Sequence, residues 1–211
     1  MKKLRYILLS VIIAFSLSAC SDSYKAESEN LNVVASFYPI YIIAQNVIGD
    51  AEGISLENMA QPQTGCLHDY QLSSGDMRKL NQADLFIVNG GGMESFLDNA
   101  LELFPDLNII DTSEGVTKLH EPEHEHSEGH SHESNPHFWM YPENAAVQAD
   151  NICKALSAIC PDNAEVFKKN TASFIERINS LECPDFGHKK AVVFNEAYEY
   201  LELTYGLDVE F

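Results

Sequence analysis

The chain has 211 residues, with 13 Lys and Arg against 32 Asp and Glu and a formal net charge of -19. A surface this acidic repels phosphate backbones and concentrates cations, which excludes nucleic acid as a partner. The five cysteines fall in no zinc-finger spacing, and no His-Glu-x-x-His helix or nucleophile elbow marks a hydrolase, so no enzyme is expected.

Lys2, Lys3 and Arg5 precede an apolar run over residues 6–17 that ends in Leu17-Ser18-Ala19-Cys20. About twelve apolar residues fall short of the roughly 20 of a membrane-spanning helix. A basic head, a short apolar core and a small-residue cleavage site instead describe an export signal over residues 1–19. Its Leu-Ser-Ala-Cys ending resembles a bacterial lipobox, so Cys20 is expected to become the first mature residue and to carry a lipid anchor in the membrane. Loss of Lys2, Lys3 and Arg5 with the signal takes the formal balance from -19 to -22. Residues 20–30 then read as the lipidated cysteine and a flexible tether, being polar and without large aliphatic side chains.

The folded part is expected to begin near Leu31. Strands are predicted over residues 32–37, 54–59, 85–88 and 107–110, and helices after Pro39, from the Ser73 cap with acidic Asp76 in the first turn, and over residues 93–104. Gly90-Gly91-Gly92 breaks the chain before the last of these. Such alternation predicts an α/β fold, a parallel-sheet lobe with flanking helices, and places binding residues on loops at the carboxyl ends of the strands. Residues 114–135 show no apolar periodicity and read as a mobile surface loop. Beyond Pro142, Ala146, Ala149, Cys153, Leu156 and Ile159 recur near helical spacing, and Pro161 ends that helix. Asp162 and Glu165 give a cap-like start to a second helix with Phe167, Phe174, Ile178 and Leu181 as its buried stripe. Cys153 and Cys160 stand about 10.5 Å apart along a helix rising about 1.5 Å per residue, beyond the roughly 7 Å a disulfide spans. Residues 191–194 read as a further strand, 196–204 as a helix and 207–211 as the start of another strand.

Seven of the eight histidines lie between His68 and His137. His68 sits in GCLHDYQLSSGDM (residues 65–77) and His137 in NPHFWMYPENA (residues 135–145), both outside the predicted regular elements at their histidine. Neutral imidazole suits several transition metals. His120, His124, His126, His130 and His132 alternate with acidic residues in a segment too polar to pack, a composition that favours weak metal collection.

These two segments, with VVFNEAYEYLELTYGL (residues 192–207), resemble in order the three ligand motifs of the metal-binding solute-binding proteins of ABC importers, and most resemble the zinc-type, ZnuA-like members. The resemblance covers nearly all of residues 31–211. It implies two α/β lobes joined by a rigid helix, metal in the cleft, zinc as the bound ligand with manganese second, and a permease as partner of an extracytoplasmic, lipid-anchored protein expected to be a monomer. His68 and His137 match the first two ligands. The third position, His in zinc-type and Glu in manganese-type members, is Asn195 here, followed by Glu196; an amide oxygen is the weaker zinc ligand, and both residues stay open. Histidine-rich loops accompany zinc-type members, which favours zinc. The second-lobe acidic ligand has no counterpart before Phe211.

The organisation expected is a metal-binding lobe over residues 31–142, connecting helices over 143–183, and an incomplete second α/β lobe over 184–211. Val192, Phe194, Tyr198, Leu201 and Leu207 then have too little to pack against. A manganese-type member, or a surface metal-buffering or adhesion lipoprotein uncoupled from import, is the alternative reading.

Overall fold

A computed structural model describes residues 30–60, 67, 70–119 and 134–210. The signal, Cys20, His68 and the five loop histidines therefore lie outside the described residues. Four strands, β1 (Leu31–Ala35), β2 (Ile54–Asn58), β3 (Leu85–Val88) and β4 (Asn108–Asp111), pair in the order β2-β1-β3-β4, all parallel. The β-branched run of β1 and the apolar run of β3 are buried on both faces, as strands of a covered parallel sheet must be. Period-two alternation divides them: Val33, Ala35, Leu85 and Ile87 join one core cluster, and Val34, Phe86 and Val88 the other.

Helix α1 (Tyr38–Ile48) has Pro39 in its first turn, where a missing N–H costs nothing, and buries Ile40, Ile43, Ala44 and Val47 on the first face. Helix α2 (Ser74–Gln82) buries Leu80 in the second cluster. Its start is a full capping box, in which the Ser73 hydroxyl accepts from the Asp76 N–H at 3.2 Å and the Asp76 carboxylate accepts from the Ser73 N–H at 2.8 Å.

The helix expected over residues 93–104 is broken into a 3-10 turn (Ser95–Leu97) and a single short helix, α3 (Asp98–Leu101). The reason is local: the Glu94 carboxylate turns back to accept from the N–H groups of Asn89 and Gly90, and does not lead a helix forward.

Helices α4 (Pro142–Ile159) and α5 (Ala164–Asn179), expected to connect two lobes, contribute Ala149, Ile152, Cys153, Leu156 and Phe167 to the same cluster as β1, β3 and α1. Asp162 does not cap α5. A 3-10 turn (Pro161–Asn163) runs straight into it, Asn163 holds the cap position without a side-chain cap bond, and Glu165 pairs with Lys168 at 2.8 Å. Of the expected stripe, Phe167 is fully buried and Phe174 packs against the core, whereas Leu181 lies past the end of α5 and is exposed. Cys153, Cys160 and Cys183 are free thiols.

Beyond α5, β5 (Lys190–Val192) and β6 (Asp208–Glu210) form a two-stranded parallel sheet. They are joined through a 3-10 turn (Glu196–Tyr200) and α6 (Leu201–Tyr205). Val192, Phe194 and Tyr198 are exposed, Phe194 at 99%, whereas Leu201 and Leu207 are half-buried. Tyr200 is the exception, fully buried with Val116 and Phe138 of the preceding lobe.

Two substitutions grade these contributions in urea unfolding. Ser73→Ala should cost about 1 kcal/mol through the lost cap, and Phe167→Ala about 3–5 kcal/mol through the cavity left beneath α5. A Phe167→Ala loss no larger than that of Ser73→Ala would place α5 outside the cooperative core.

Candidate metal centre

Strand order reverses between β1 and β3, since the chain steps from β1 out to β2 and from β3 out to β4 on the other side. The carboxyl ends of these two strands frame the crevice where parallel α/β sheets bind ligands. Ser36 follows β1, and Asn89 and Gly90 follow β3. Glu94 sits between them, accepting from the Ser36 hydroxyl at 2.7 Å, the Asn89 N–H at 2.8 Å and the Gly90 N–H at 3.1 Å. Burial pushes the Glu94 carboxyl up from 4.5 to about 7, against the three donors that favour its charged form, and Asp111 adds to the rise.

Asn89 carries this network outward. Its side-chain amide donates to the carbonyls of Gly90 and Pro136 at 2.9 and 2.8 Å, and its oxygen accepts from Gln148 of α4 at 3.0 Å. The residue after Pro136 is His137. Gly91, at φ +64°, lies against the Phe138 ring so closely that a Cβ would overlap it. A side chain at that position would therefore displace the residue next to His137.

His137 is buried, 3% exposed. Its Nδ1 lies 2.8 Å from Asn135 Oδ1, which also accepts from the His137 N–H at 3.1 Å. The Asn135 amide nitrogen donates to the Glu196 carbonyl at 2.9 Å and to a Glu199 carboxylate oxygen at 2.8 Å. One side chain thus joins His137 to the turn that carries Glu196. The Tyr200 hydroxyl closes the same joint, donating to the Asn135 carbonyl at 2.8 Å and accepting from the Leu119 N–H at 3.3 Å. Burial pushes the Tyr200 phenol up to about 12, so it stays protonated as a donor.

The Asn195 side-chain oxygen accepts from the Ala197 N–H at 2.8 Å and caps the turn, and Asn195 is exposed. Glu196 is half-buried. On the other side, Leu67 and Tyr70 flank the sequence position of His68, and both pack with the core cluster that contains Phe37. The Tyr70 N–H donates to the Leu67 carbonyl, and its hydroxyl donates to Asp76 in the α2 capping box at 2.9 Å. Trp139 meets Phe37 edge-on at 4.8 Å and His137 at 5.2 Å between ring centroids. Among the described residues no three His, Cys, Asp or Glu side chains group as a metal cage. Asn135, Glu199 and Tyr200 were not singled out from sequence, and the Asn-Pro-His segment gave the nearest signal.

A parallel α/β lobe with a buried imidazole held beside its topological switch point thus offers a candidate ligand where such sheets bind small solutes. The family profile described as zinc-uptake complex component A, periplasmic, matches residues 33–211, and the chain belongs to this family. It is a family of solute-binding components of importers, which is not an enzyme class. The chain is 32% identical over 222 aligned residues to the zinc-binding lipoprotein AdcA of Streptococcus pneumoniae, covering 98% of this chain and 43% of that protein. It is also 32% identical to the iron-binding protein YfeA of Yersinia pestis, over 96% of this chain and 67% of the relative. The crystal structure of Zn(II)-bound AdcA from Streptococcus pneumoniae superimposes with a TM-score of 0.71 at 29% identity, covering 85% of this chain and 38% of that one. The Mn2+ complex of FpvC from Pseudomonas aeruginosa, at 21% identity and TM-score 0.72, shares the fold. The chain thus spans less than half the length of its AdcA relatives.

The raised Glu94 carboxyl has a defined linkage. Its folded value lies above its ordinary one, so the stability it contributes is present below about pH 4.5 and is lost as pH rises through about 7. The difference in unfolding free energy between wild type and Glu94→Gln, measured by urea titration in chelator, should therefore decline across that window by on the order of 3 kcal/mol, at about 1.4 kcal/mol per pKa unit. A difference that is flat from pH 4 to pH 8, on either side of the window just named, would show that Glu94 ionises normally in the folded protein.

Proposed function

We propose that this chain captures zinc outside the cytoplasmic membrane and delivers it to the permease of an ABC importer. The observation that carries this reading is the buried His137, held by Asn135 above the β1–β3 switch point in a member of a zinc-uptake family. Zinc takes imidazole nitrogen and carboxylate oxygen in tetrahedral sets. His68 and His137 supply two nitrogens, and Glu196 is the third donor, since the oxygen of Asn195 is engaged in capping its own turn. His120, His124, His126, His130 and His132 act as a weak collector of ions, helped by the acidic surface.

The lipid on Cys20 holds the mature chain at the membrane, and it acts there as a monomer. No helix among the described residues is long and apolar enough to cross a membrane, so the anchor rests on the sequence of the export signal. The relatives' names support zinc: AdcA is a zinc-binding lipoprotein and its solved structure is Zn(II)-bound.

Competitive titration of the mature chain with zinc and manganese tests the proposal. Zinc should bind the more tightly, and His68→Ala and His137→Ala should each weaken it by at least 100-fold, about 3 kcal/mol. Deletion of residues 121–133 should change affinity less than tenfold, about 1.4 kcal/mol. Tight binding that survives both histidine changes and disappears with the loop would move the site to the loop.

Affinity should also fall as pH drops through about 6.5, the ordinary value of histidine, because protons compete for the same nitrogens. Zinc uptake should release protons in a calorimeter. Affinity unchanged between about pH 7.5 and 5.5, across that range, would rule out histidine ligation.

A further inference from the structure

We infer that Asn135 is a positioning residue: it fixes His137 in the tautomer that carries its proton on Nδ1, and so presents the Nε2 lone pair as the metal donor. The inference rests on His137 being a metal ligand, but its core can be measured without metal. The orientation of the Asn135 amide is settled by two partners whose roles have no ambiguity. The backbone N–H of His137 can only donate, so the atom it meets at 3.1 Å is the amide oxygen. The backbone carbonyl of Glu196 can only accept, so the atom it meets at 2.9 Å is the amide nitrogen. With the oxygen thus placed, His137 Nδ1 at 2.8 Å faces an acceptor and must donate. A neutral ring with its proton on Nδ1 has its lone pair on Nε2.

This is the usual manner in which a ligating histidine is oriented, through a hydrogen bond from its other nitrogen. An asparagine adds something that an aspartate could not. Its nitrogen donates to the Glu196 carbonyl and to Glu199, so the side chain that selects the tautomer also holds the turn carrying the proposed third donor. At 1% exposure the amide is shielded from competing water, and Tyr200 fixes its backbone from behind.

The test records long-range nitrogen–proton correlation spectra of metal-free protein labelled at histidine nitrogen. The pH is about 8, above the ordinary histidine value of about 6.5. The His137 signals are assigned from their loss in His137→Gln. Wild type should show His137 with the proton on Nδ1. Asn135→Leu, which removes the acceptor, should move it toward the Nε2–H form and lower zinc affinity about 10–100-fold. Asn135→Asp keeps the acceptor and loses the donor, so it should keep the Nδ1–H form. That variant also decides the matter if Asn135→Leu does not fold. A wild-type ring protonated on Nε2 overturns the inference. So does a folded Asn135→Leu with unchanged tautomer, or with unchanged zinc affinity where wild type binds zinc, or a folded Asn135→Asp that loses the Nδ1 proton. If wild type shows the Nδ1–H form and Asn135→Leu loses it, yet neither binds zinc, the proposed function fails while the assignment of the tautomer to Asn135 stands.

Discussion

Between the carboxyl ends of β1 and β3 the sheet changes its direction of winding, and past the backbone bond from the Ser36 N–H to the Ile87 carbonyl at 2.9 Å a side chain continues the join. That side chain is Glu94, whose carboxylate takes one hydrogen bond from the residue after β1 and two from the residues after β3. Burying a carboxyl there is costly, as its rise to about 7 records. The return is a rigid floor. The N–H groups past the end of β3 gain an acceptor, the Ser36 hydroxyl ties the end of β1 to the same carboxylate, and Asn89, set by that stitch, reaches up to the Pro136 carbonyl and positions the histidine segment.

The site is consequently assembled in tiers, each held by the one below. Glu94 fixes the strand ends, Asn89 and Gln148 fix the Asn-Pro-His segment against α4, and Asn135 fixes both His137 and the turn at Glu196. The glycines after β3 allow this stacking, since Gly91 takes a positive φ and leaves room for the Phe138 ring. The segment after α5 gains its anchor from the same arrangement. Its strands expose Val192 and Phe194, while Tyr200 is buried against Val116 and Phe138 and bonds to the Asn135 carbonyl. This tyrosine and the Asn135 amide, which donates to the Glu196 carbonyl and to Glu199, tie the turn to the larger lobe.

Charge works on a longer scale. An acidic chain draws divalent cations toward its surface and repels anions, whereas discrimination among ions is a matter of donor atoms at contact distance. The two effects differ in range, because imidazole selects among transition metals at close range and diffuse carboxylate charge does not.

Much of this was legible in the residue order. Short apolar and β-branched runs located four strands within a residue or two, Ser73 with Asp76 marked a helix start that proved to be a full capping box, and Pro142 and Pro161 bracketed α4. These are local preferences of the backbone, set by neighbours within one turn. The Asn-Pro-His segment was legible on another ground, the crowding of histidines between His68 and His137 and the likeness of its residues to a ligand motif of a known family. What sequence could not supply was anything joining distant residues. The order β2-β1-β3-β4, the return of Glu94 to the strand ends, the exposure of Leu181 and the burial of Tyr200 follow from packing between elements. Asn135 meets Glu196 across 61 residues, and Tyr200 meets Leu119 across 81. No spacing rule reaches so far along a chain, because such contacts are fixed only when the sheet has closed and each buried polar atom has found a partner.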